Sequence, residues 1–345
     1  MVELRRAKDI RVGVIGYGGA FNMGKIHLEQ MADAGMTPSA VCEIDQTRLK
    51  VAEVDFPGIE TFTSVSAMLK KSDLNLIVVI TPHNTHAKLA LQCLRAGRHV
   101  VCEKPLAITT AECDKMIAEA KKQKVVLSTY HNRHWDGCIL EAVRKIGKGA
   151  IGDIVRIEAH AGAFGKPGDW WRSSKTISGG ILYDWGVHFL EYALQLIDSD
   201  ITEVSGFATK GVWKTRWGSD SNEDEATTIV RFASGQYLVL SITQIDALPK
   251  NEDRGHLEIT GTKGTYVFDQ SRWKLIQPDK RCGITIKKGM NPSSQWDRYY
   301  KNIAGHLVKG EKLVITPEWS RRPIHILDLA CRSAELGKTI KAKYK

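Results

Sequence analysis

The sequence lacks the cysteine patterns that build disulfide frameworks and zinc sites. Its seven cysteines form no C-x-x-C pair and show no dense spacing. Several of them, such as Cys102, stand inside apolar runs, where a thiol behaves as a small hydrophobic group. We therefore expect reduced cysteines, a reducing compartment and a protein that binds no metal.

Long hydrophobic runs are also missing. The longest one, residues 74–80, is far shorter than the roughly 20 residues that a membrane-spanning helix needs. The first residues, MVELRRAKD, lack the apolar stretch of a secretory signal. The sequence therefore predicts a cytoplasmic protein without a membrane partner.

No DNA- or RNA-binding module accompanies the basic charge of the chain. The formal net charge is +10, and residues 301–345 supply +6 of it, with ten Lys and Arg against four Asp and Glu. A charge run of this kind is usually a solvated surface. We expect no nucleic-acid partner, although an anionic small substrate is compatible with the same charge.

The length and patterning of the chain predict two domains. Its 345 residues exceed the roughly 250–300 at which a single hydrophobic core stops growing. Strands alternate with helical segments over residues 1–128, which predicts an α/β domain with a doubly wound parallel sheet. Alternating strand patterns and hairpins over 226–243 and 257–268 predict that residues 129–345 form an α+β domain with a large, mostly antiparallel sheet.

A glycine turn follows the first predicted strand. Residues 10–15 form that strand, GYGG follows at 16–19, and a segment with helical spacing comes next. Glycines let the backbone approach dinucleotide phosphates, and the helix N-terminus stabilises their charge. The third glycine stands at Gly24, as if residues 20–22 had been inserted. We expect this longer loop to wrap more backbone around the pyrophosphate and to slow cofactor release.

A carboxylate ends the next predicted strand, residues 39–42. Glu43 lies 19 residues after Gly24, close to the spacing of about 20 expected of the acid that binds the adenosine ribose. Such a charge favours NAD, while the nearby Arg48 leaves NADP open. The alternative for Glu43 is that it caps the following helix.

Polar residues also follow two further predicted strands. TPHNTH occupies 81–86, and Glu103 and Lys104 follow the strand 100–102. Ligands of parallel sheets bind at the carboxyl ends of the strands. We therefore expect these residues and Glu43 to border one ligand site.

The segment GGILYDWGVH at 179–188 holds the polar pair Asp184 and His188. Positions four apart share one face of a helix, so we expect both side chains to point into the same space. A carboxylate beside an imidazole can orient the ring for proton transfer. The alternative is a buried, hydrogen-bonded histidine with a capping aspartate.

Adjacent tryptophans beside an arginine precede this segment. Trp170, Trp171 and Arg172 are either packing residues or a platform for a sugar, whose apolar C–H faces stack on indole rings. Trp213 and Trp217 lie in a second loop and are candidates for a lid or an intersubunit contact.

Three blocks of the chain together resemble the Gfo/Idh/MocA family, named after glucose–fructose oxidoreductase, inositol dehydrogenase and a rhizopine-catabolism protein. They are GYGG with MGKIH within 16–27, TPHNTHAKLALQCLRAGRHVVCEKPLA at 81–107 and GGILYDWGVHFLE at 179–191. The resemblance covers nearly the whole chain. It implies an NAD(P)-dependent enzyme that transfers a hydride between its cofactor and a secondary alcohol of a sugar, glycoside, cyclitol or related polyol. It also implies a homo-oligomer, a dimer or tetramer, assembled through the second domain, which would bind the substrate as well.

The resemblance further implies roles for single residues. Lys104 would hydrogen-bond the reacting oxygen, His188 would exchange the proton, and Asp184 would be its partner and contact a second hydroxyl. A cis peptide bond is implied before Pro105. The implied cofactor residues are Gly16, Gly18, Gly19, Ala20, Phe21 and Asn22 at the pyrophosphate, Glu43 at the ribose, Thr81, Pro82, Asn84 and His86 at the nicotinamide, and Glu103, Lys104 and Arg133 in the rest of the pocket. Further substrate-binding candidates are His131, Trp170, Trp171 and Arg172.

Pyranosides, including glucosides oxidised at ring carbon 3, are the substrates that we expect. Two other functions stay open. A redox-assisted glycosidase of the same fold would oxidise its sugar transiently, eliminate, and re-reduce the product with a tightly bound NAD. A dinucleotide-sensing regulator would need no acid–base group, so the joint presence of Lys104, Asp184 and His188 argues against it.

Overall fold

The computed structural model describes residues 4–247, 256–279 and 283–342. The chain divides into two compact units. The first unit takes in the described residues of Met1–Asn132 together with Asp297–Ile324, and the second unit those of Arg133–Trp296 and His325–Lys345. Cys282, one of the seven cysteines, lies outside the described residues.

The described ranges contain ten α-helices and fifteen β-strands. The helices are α1 (Met23–Asp33), α2 (Gln46–Asp55), α3 (Val65–Lys71), α4 (His86–Arg95), α5 (Thr110–Gln123), α6 (Gly137–Gly147), α7 (Lys175–Ser178), α8 (Gly186–Leu196), α9 (Arg298–Lys309) and α10 (Pro317–Leu336). The strands are β1 (Arg11–Ile15), β2 (Thr37–Cys42), β3 (Glu60–Phe62), β4 (Leu76–Val79), β5 (His99–Cys102), β6 (Leu127–Thr129), β7 (Ile154–Gly162), β8 (Ile201–Thr209), β9 (Glu225–Phe232), β10 (Tyr237–Thr243), β11 (Leu257–Gly261), β12 (Gly264–Phe268), β13 (Arg272–Pro278), β14 (Ile284–Met290) and β15 (Ile340–Lys341).

The first unit is built on a parallel sheet with the strand order β3-β2-β1-β4-β5-β6. The order reverses beside β1, which is the topological switch point where doubly wound sheets bind their ligands. Every residue of β4 is fully buried, as expected of a parallel strand with helices on both faces. The predicted doubly wound sheet is confirmed. The short β3 was not anticipated because Glu-Thr-Phe is half-buried and carries no apolar run.

Helix α5 shows how the local sequence sets the ends of an element in this unit. The Thr109 hydroxyl accepts a hydrogen bond from the Glu112 N–H at 3.2 Å, and the Glu112 carboxylate accepts one from the Thr109 N–H at 3.1 Å. This reciprocal pair is a capping box, which satisfies two of the helix's unpaired donors. The helix stops at Lys124, whose φ of 54° is left-handed.

The second unit is built on a sheet with the order β14-β13-β12-β11-β7-β10-β9-β8-β15 among the described residues. All its pairs are antiparallel except β7 with β10. The predicted mostly antiparallel sheet and its β9–β10 and β11–β12 hairpins are confirmed. Helix α8 packs against β10 and is buried from Gly186 to Leu194.

None of the helices in the described part of the chain has the length and apolar character that crossing a bilayer requires.

Candidate active site

Four predicted ligand-binding positions lie at one edge of the first unit's sheet. Gly16 follows β1, Glu43 follows β2, Thr81 comes two residues after β4, and Glu103 follows β5. Since β2, β1, β4 and β5 are consecutive neighbours and parallel, their carboxyl ends line up. The strand topology therefore brings these positions to the edge where such sheets bind ligands.

Gly16 makes the turn after β1. Its φ of +103° is left-handed, and a Cβ there would lie 2.3 Å from the Ile80 carbonyl oxygen. Residues 20–22 lengthen the turn before α1, and Phe21 exposes 52% of its surface. Gly24 is part of the first turn of α1, and not of the loop. A Cβ on Gly18 would meet no heavy atom of the described residues within 4 Å, the two chain neighbours of Gly18 aside, so there is open space beside this residue, as the close approach of a phosphate group requires.

Glu43 ties the end of β2 to the glycine turn. One carboxylate oxygen accepts a hydrogen bond from the Tyr17 N–H at 2.7 Å, and the other accepts from the Ile44 and Asp45 N–H groups at 2.7 and 3.1 Å. A carboxylate offers about four acceptor sites, so one remains for a ribose hydroxyl. The alternative capping role is wrong, because Asp45 caps α2 through a bond from the Thr47 N–H at 2.8 Å.

Arg48 lies against the same turn. Its Nε donates to the Tyr17 carbonyl at 2.9 Å, and an Nη donates to the Asn22 side chain at 3.3 Å. A Cβ on Gly19 would lie 3.2 Å from the guanidinium. A positive charge therefore stands beside Gly19 and Asn22, two of the residues implied to hold the pyrophosphate.

The loop after β4 is braced from within. The Thr81 and Thr85 hydroxyls are 2.6 Å apart, Thr81 and Pro82 are half-buried, and Asn84 is exposed. His86 is 1% exposed, and its ring nitrogens lie 2.7 Å from the Thr81 carbonyl and 2.8 Å from the Pro105 carbonyl. Burial lowers the pKa of this imidazole. His86 thus links the loop after β4 to the turn after β5 through the backbone.

The turn after β5 carries Glu103, Lys104 and Pro105. The bond before Pro105 is cis, which confirms the expectation from the resemblance. Glu103 accepts a hydrogen bond from the Lys104 N–H at 2.8 Å, and the Lys104 side chain is half-buried. The backbone of Lys104 is thus held by the preceding carboxylate.

A buried network supports Glu103 from distant parts of the chain. His27 of α1 is fully buried, with Nε2 3.0 Å from Glu103 and Nδ1 2.5 Å from the Tyr300 hydroxyl. A carboxylate accepts only, so Nε2–H donates to Glu103, and Nδ1 shares a hydrogen bond with the Tyr300 hydroxyl. Burial acts to raise the pKa of Glu103, but the His27 hydrogen bond and the Lys104 ammonium hold it below its usual value. Glu103 is therefore an anion beside the Lys104 backbone.

His131 belongs to the first unit and follows β6. It is 1% exposed, and its N–H donates to the Thr129 carbonyl at 2.7 Å. This implied substrate residue stands two residues after β6, at the carboxyl end of a strand of the first unit's sheet.

The second unit holds Asp184 and His188. Helix α8 begins at Gly186, so Asp184 lies before it, at the end of the 3₁₀ helix Ile181–Tyr183. The prediction that one helix carries both residues is wrong, because the chain forms the separate 3₁₀ helix Ile181–Tyr183 before Asp184, and α8 begins only at Gly186. His188 lies in the first turn of α8 and is 6% exposed.

Asp184 is bound to an arginine from the tryptophan loop. Arg172 Nη1 donates to Asp184 Oδ1 at 2.8 Å, and the guanidinium lies 5.0 Å from the ring centroids of both Trp170 and Trp171. These distances are within the range of cation–π contacts. Three predicted substrate residues are therefore gathered around Asp184 within this unit.

A buried ion pair fixes the turn that precedes Asp184. Lys175 Nζ donates to Glu223 at 2.6 Å, and the other Glu223 oxygen accepts from the Ile181 N–H at 3.0 Å. Burial acts to raise the pKa of Glu223, but Lys175 and the Ile181 N–H hold it below its usual value. The carboxylate thus pins the first residue of the 3₁₀ helix that ends at Asp184.

Residues of the second tryptophan loop hold the backbone of the first and of the chain after β10. Trp217 Nε1 donates to the Trp170 carbonyl at 3.0 Å, and Trp213 Nε1 donates to the Gln244 carbonyl at 3.0 Å. Asn222 Nδ2 donates to the Arg172 carbonyl at 2.6 Å. The 210–223 segment therefore holds the backbone of the residues around Asp184.

Arg133 also belongs to the second unit. Its guanidinium lies 5.0 Å from the Trp185 ring and 5.7 Å from the Trp296 ring, and it donates to Asp136 at 3.0 Å. Burial acts to lower the pKa of Arg133, but Tyr192 and Asp136 raise it.

Comparisons with known proteins agree with this architecture. Residues 10–131 match the model of an oxidoreductase family with an NAD-binding Rossmann fold, and residues 139–267 match the model of the GFO/IDH/MocA C-terminal domain. The uncharacterized oxidoreductase YdgJ of Escherichia coli is 33% identical over 310 residues, which cover 89% of this chain and 82% of that protein.

This chain belongs to the Gfo/Idh/MocA family.

Two further proteins are similar to this Gfo/Idh/MocA member. The scyllo-inositol 2-dehydrogenase (NADP(+)) IolW of Bacillus subtilis is 24% identical over 368 residues, which cover 97% of each chain. A solved structure of levoglucosan dehydrogenase in complex with NADH and levoglucosan has a TM-score of 0.81 at 20% identity, covering 96% of this chain and 99% of that one. The latter likeness shows the fold.

Membership makes this Gfo/Idh/MocA protein an oxidoreductase with an NAD-binding domain. Several residues that support the predicted positions within one unit or the other were missed from the sequence: His27 and Tyr300 in the first unit, and Asp136, Lys175, Trp185, Glu223 and Trp296 in the second. His27 and Trp185 stand inside the quoted MGKIH and GGILYDWGVH blocks, which is the one signal that could have found them. Glu223, Trp296 and Tyr300 stand in no motif, because only the fold brings them to their partners.

Proposed function

We propose that this protein is a dehydrogenase that transfers a hydride between NAD and a secondary alcohol of a sugar, glycoside or cyclitol. The observation that carries the proposal is the alignment of Gly16, Glu43, Thr81 and Glu103 at the carboxyl ends of four neighbouring parallel strands. That edge provides a glycine turn, a helix N-terminus and a carboxylate, which are the elements of a dinucleotide site.

The residues present fit NAD. The loop 16–22 would hold the pyrophosphate beside the open space at Gly18, and the free acceptor site of Glu43 would bind a ribose hydroxyl. The charge of Glu43 favours NAD over NADP, and Arg48 beside the loop keeps some NADP use open. Residues Thr81, Pro82 and Asn84 would border the nicotinamide end. When bound, the cofactor accepts or supplies the hydride.

The proton of the alcohol needs a separate acceptor. We assign this task to His188, because an imidazole exchanges protons near neutral pH. Asp184, held by Arg172 at 2.8 Å, would orient the imidazole and accept a hydrogen bond from a second hydroxyl. Lys104 would donate a hydrogen bond to the reacting oxygen and stabilise its developing negative charge. Glu103 and His27 keep the Lys104 backbone in place.

Relatives support a polyol as substrate. IolW is named as a scyllo-inositol 2-dehydrogenase, and a protein of the same fold is named as a levoglucosan dehydrogenase. Both names describe oxidation of cyclic polyols. Pyranosides oxidised at ring carbon 3 are the substrates that we favour.

We also propose a cytoplasmic homo-oligomer, a dimer or tetramer, assembled through the second unit's sheet. Sedimentation of the purified chain at micromolar concentration should give twice or four times the mass of 38.4 kDa. A monomer would contradict the assembly without touching the proposed reaction.

The deciding experiment follows NADH formation with a panel of sugars, glycosides and cyclitols for the wild type and for Lys104→Ala. We expect the variant to lose turnover by about 10²–10³-fold and to keep its affinity for NADH. Unchanged turnover would remove Lys104 from the mechanism. Product analysis separates the rival glycosidase, since release of a free sugar without net NADH would favour it.

A further inference from the structure

Two clusters of the same composition, each an arginine with indole rings and a carboxylate, meet at the neighbouring residues Asp184 and Trp185. In the Arg172 cluster, the guanidinium faces the rings of Trp170 and Trp171 at 5.0 Å each and pairs with Asp184 at 2.8 Å. The second cluster, formed around Arg133, includes Trp185. Both clusters belong to the second unit.

In the Arg133 cluster, the guanidinium lies 5.0 Å from Trp185 and 5.7 Å from Trp296, and it pairs with Asp136 at 3.0 Å. Asp136 also accepts from Trp296 Nε1 at 2.5 Å, from Ser294 at 3.1 Å, and from the Tyr192 hydroxyl. The aspartate thus has four donors, and this fixes the position of the arginine between the two indoles.

The Trp185 indole packs against neighbouring side chains and is still accessible to a ligand. It exposes 39% of its surface, although Arg133 lies over its ring and the His188 ring lies 5.8 Å away in an edge-to-face arrangement. With the Phe189 ring at 6.0 Å as a further neighbour, Trp185 therefore presents the exposed part of a packed indole beside the proposed acid–base residue His188. Such a surface suits the C–H face of a saturated ring.

The charges of the two clusters balance. Arg133 is paired with Asp136, and Arg172 is paired with Asp184. An anionic substrate is typically bound by an arginine that offers its planar fork to the anion. Here both guanidinium groups already have a carboxylate partner and indole rings nearby.

Building on the proposed dehydrogenase function, we propose that Trp185, backed by Arg133, is a specificity-determining residue that selects an uncharged ring polyol. Ring stacking would orient the alcohol carbon toward His188. The net charge of +10 thus belongs to other parts of the chain and does not indicate a sugar phosphate or a uronic acid.

The test uses the full chain with NAD and six probes in neutral and charged forms. The neutral rings are methyl glucoside, myo-inositol and levoglucosan, and the charged ones are methyl glucuronide, glucose 6-phosphate and an inositol phosphate. We expect the wild type to favour its best neutral ring by at least about tenfold in kcat/KM over the charged probes. Trp185→Ala should raise KM for that ring about tenfold, as a stacking contact predicts, with kcat within about threefold.

Trp185→Phe should restore most of the lost affinity, because it keeps an aromatic face. Trp273→Phe is the matched control, since Trp273 stacks on Tyr266, contacts the Lys145 ammonium of α6 and has no part in either cluster. NADH affinity reports folding of every variant and should not change. A purely structural role for Trp185 would lower NADH affinity or kcat instead of raising KM alone.

Three outcomes would overturn the inference. A KM for the neutral ring within twofold of the wild type in Trp185→Ala would remove Trp185 as a selector. A wild type that prefers a charged probe would contradict the inference that the site selects an uncharged ring. Both would leave the dehydrogenase function intact, whereas a wild type that oxidises no probe at all would overturn the inference together with the proposed function.

Discussion

The turn around Lys104 and the segment around Asp184 are held in place in different ways. In the first unit, Glu43, Glu103 and His86 all contact backbone groups, and the strands themselves set where these residues stand. In the second unit, Asp184 is held by the side chain of Arg172, which faces two indoles. We therefore expect changes at the backbone-bound residues of the first region, such as Glu43, to act on cofactor affinity, and changes in the second region to act on the handling of substrate. The Lys104 side chain, which is assigned to the reacting oxygen, is the exception in the first region.

The largest expected effect comes from His188→Ala. Losing a general acid–base group lowers kcat by about 10²–10⁴-fold, and the pH–rate profile should flatten because the titrating group is gone. NADH affinity should stay within about twofold of the wild type, because His188 lies in the region that we assign to the substrate. Steady-state kinetics from pH 5 to pH 10 and fluorescence titration with NADH measure both quantities.

The matched control for that variant is His160→Ala. His160 is another histidine of the second unit with a carboxylate partner, Asp246 at 3.1 Å, and it has no assigned role in the reaction. Its removal should change neither kcat nor the profile. An unaltered profile in His188→Ala would argue against His188 as the proton carrier.

Arg172→Met tests how Asp184 is held. Without its partner at 2.8 Å, the carboxylate loses a charge-assisted hydrogen bond that contributes about 1.5–3 kcal/mol, so kcat/KM should fall by about 10–100-fold. Arg172→Lys keeps the charge and should recover part of the loss. If Arg172→Met weakened NADH binding as much as turnover, the assignment of the second region to substrate handling would be contradicted.

Glu43→Gln probes the first region. The amide keeps the shape and part of the hydrogen bonding but removes the charge, so NAD affinity should fall about tenfold and the NADP to NAD ratio of kcat/KM should rise. The value of kcat at saturating cofactor should change little. Asp45→Asn is the control, because that neighbouring carboxylate caps α2. A lower kcat with unchanged NAD affinity would contradict the assignment of Glu43 to the ribose.

Of these variants, Glu223→Gln should change kcat and KM least. Its main effect should be on the free energy of unfolding. The pKa of Glu223 is held below its usual value in the folded chain. The stabilisation that the Glu223 carboxylate gives the folded chain is therefore present above the ordinary carboxyl pKa of about 4.3. It is lost as pH falls through the lower pKa that Glu223 has in the folded chain. The variant should lose about 1–3 kcal/mol of unfolding free energy at pH 7 and show a weaker acid dependence between pH 5 and pH 3, measured by urea unfolding. An acid dependence as steep as that of the wild type would contradict the ion pair with Lys175.

The sequence predicted much of the first region correctly because the order of apolar runs and polar residues indicates where the strands lie and where they end. A short, β-branched apolar run such as β4, set between helical segments, is typical of a buried parallel strand, and a polar residue directly after it stands at the strand end. The positions of Gly16, Glu43 and Glu103 followed from that rule. The short strand β3 escaped because its half-buried residues show no such run.

The second region was predicted less well. The pair Asp184 and His188 was singled out, but the single helix assumed for it does not exist, since α8 begins at Gly186. The strands β13 and β14 were not anticipated: β14 is largely exposed along its length and shows no strict alternation. Helix α9, which supplies Tyr300 to His27 of the first unit, also lay in no recognised block.

The parallel sheet, its ligand-binding edge and the residue types that carry the chemistry follow from the amino-acid sequence, because local periodicity and strand-end positions depend on neighbours in the chain. The contacts of Arg172 with Asp184, of Arg133 with Trp185 and of Tyr300 with His27 become visible only in the folded chain. Partners that lie 12, 52 and 273 residues apart share no local pattern, so the packing of the fold alone brings them into contact.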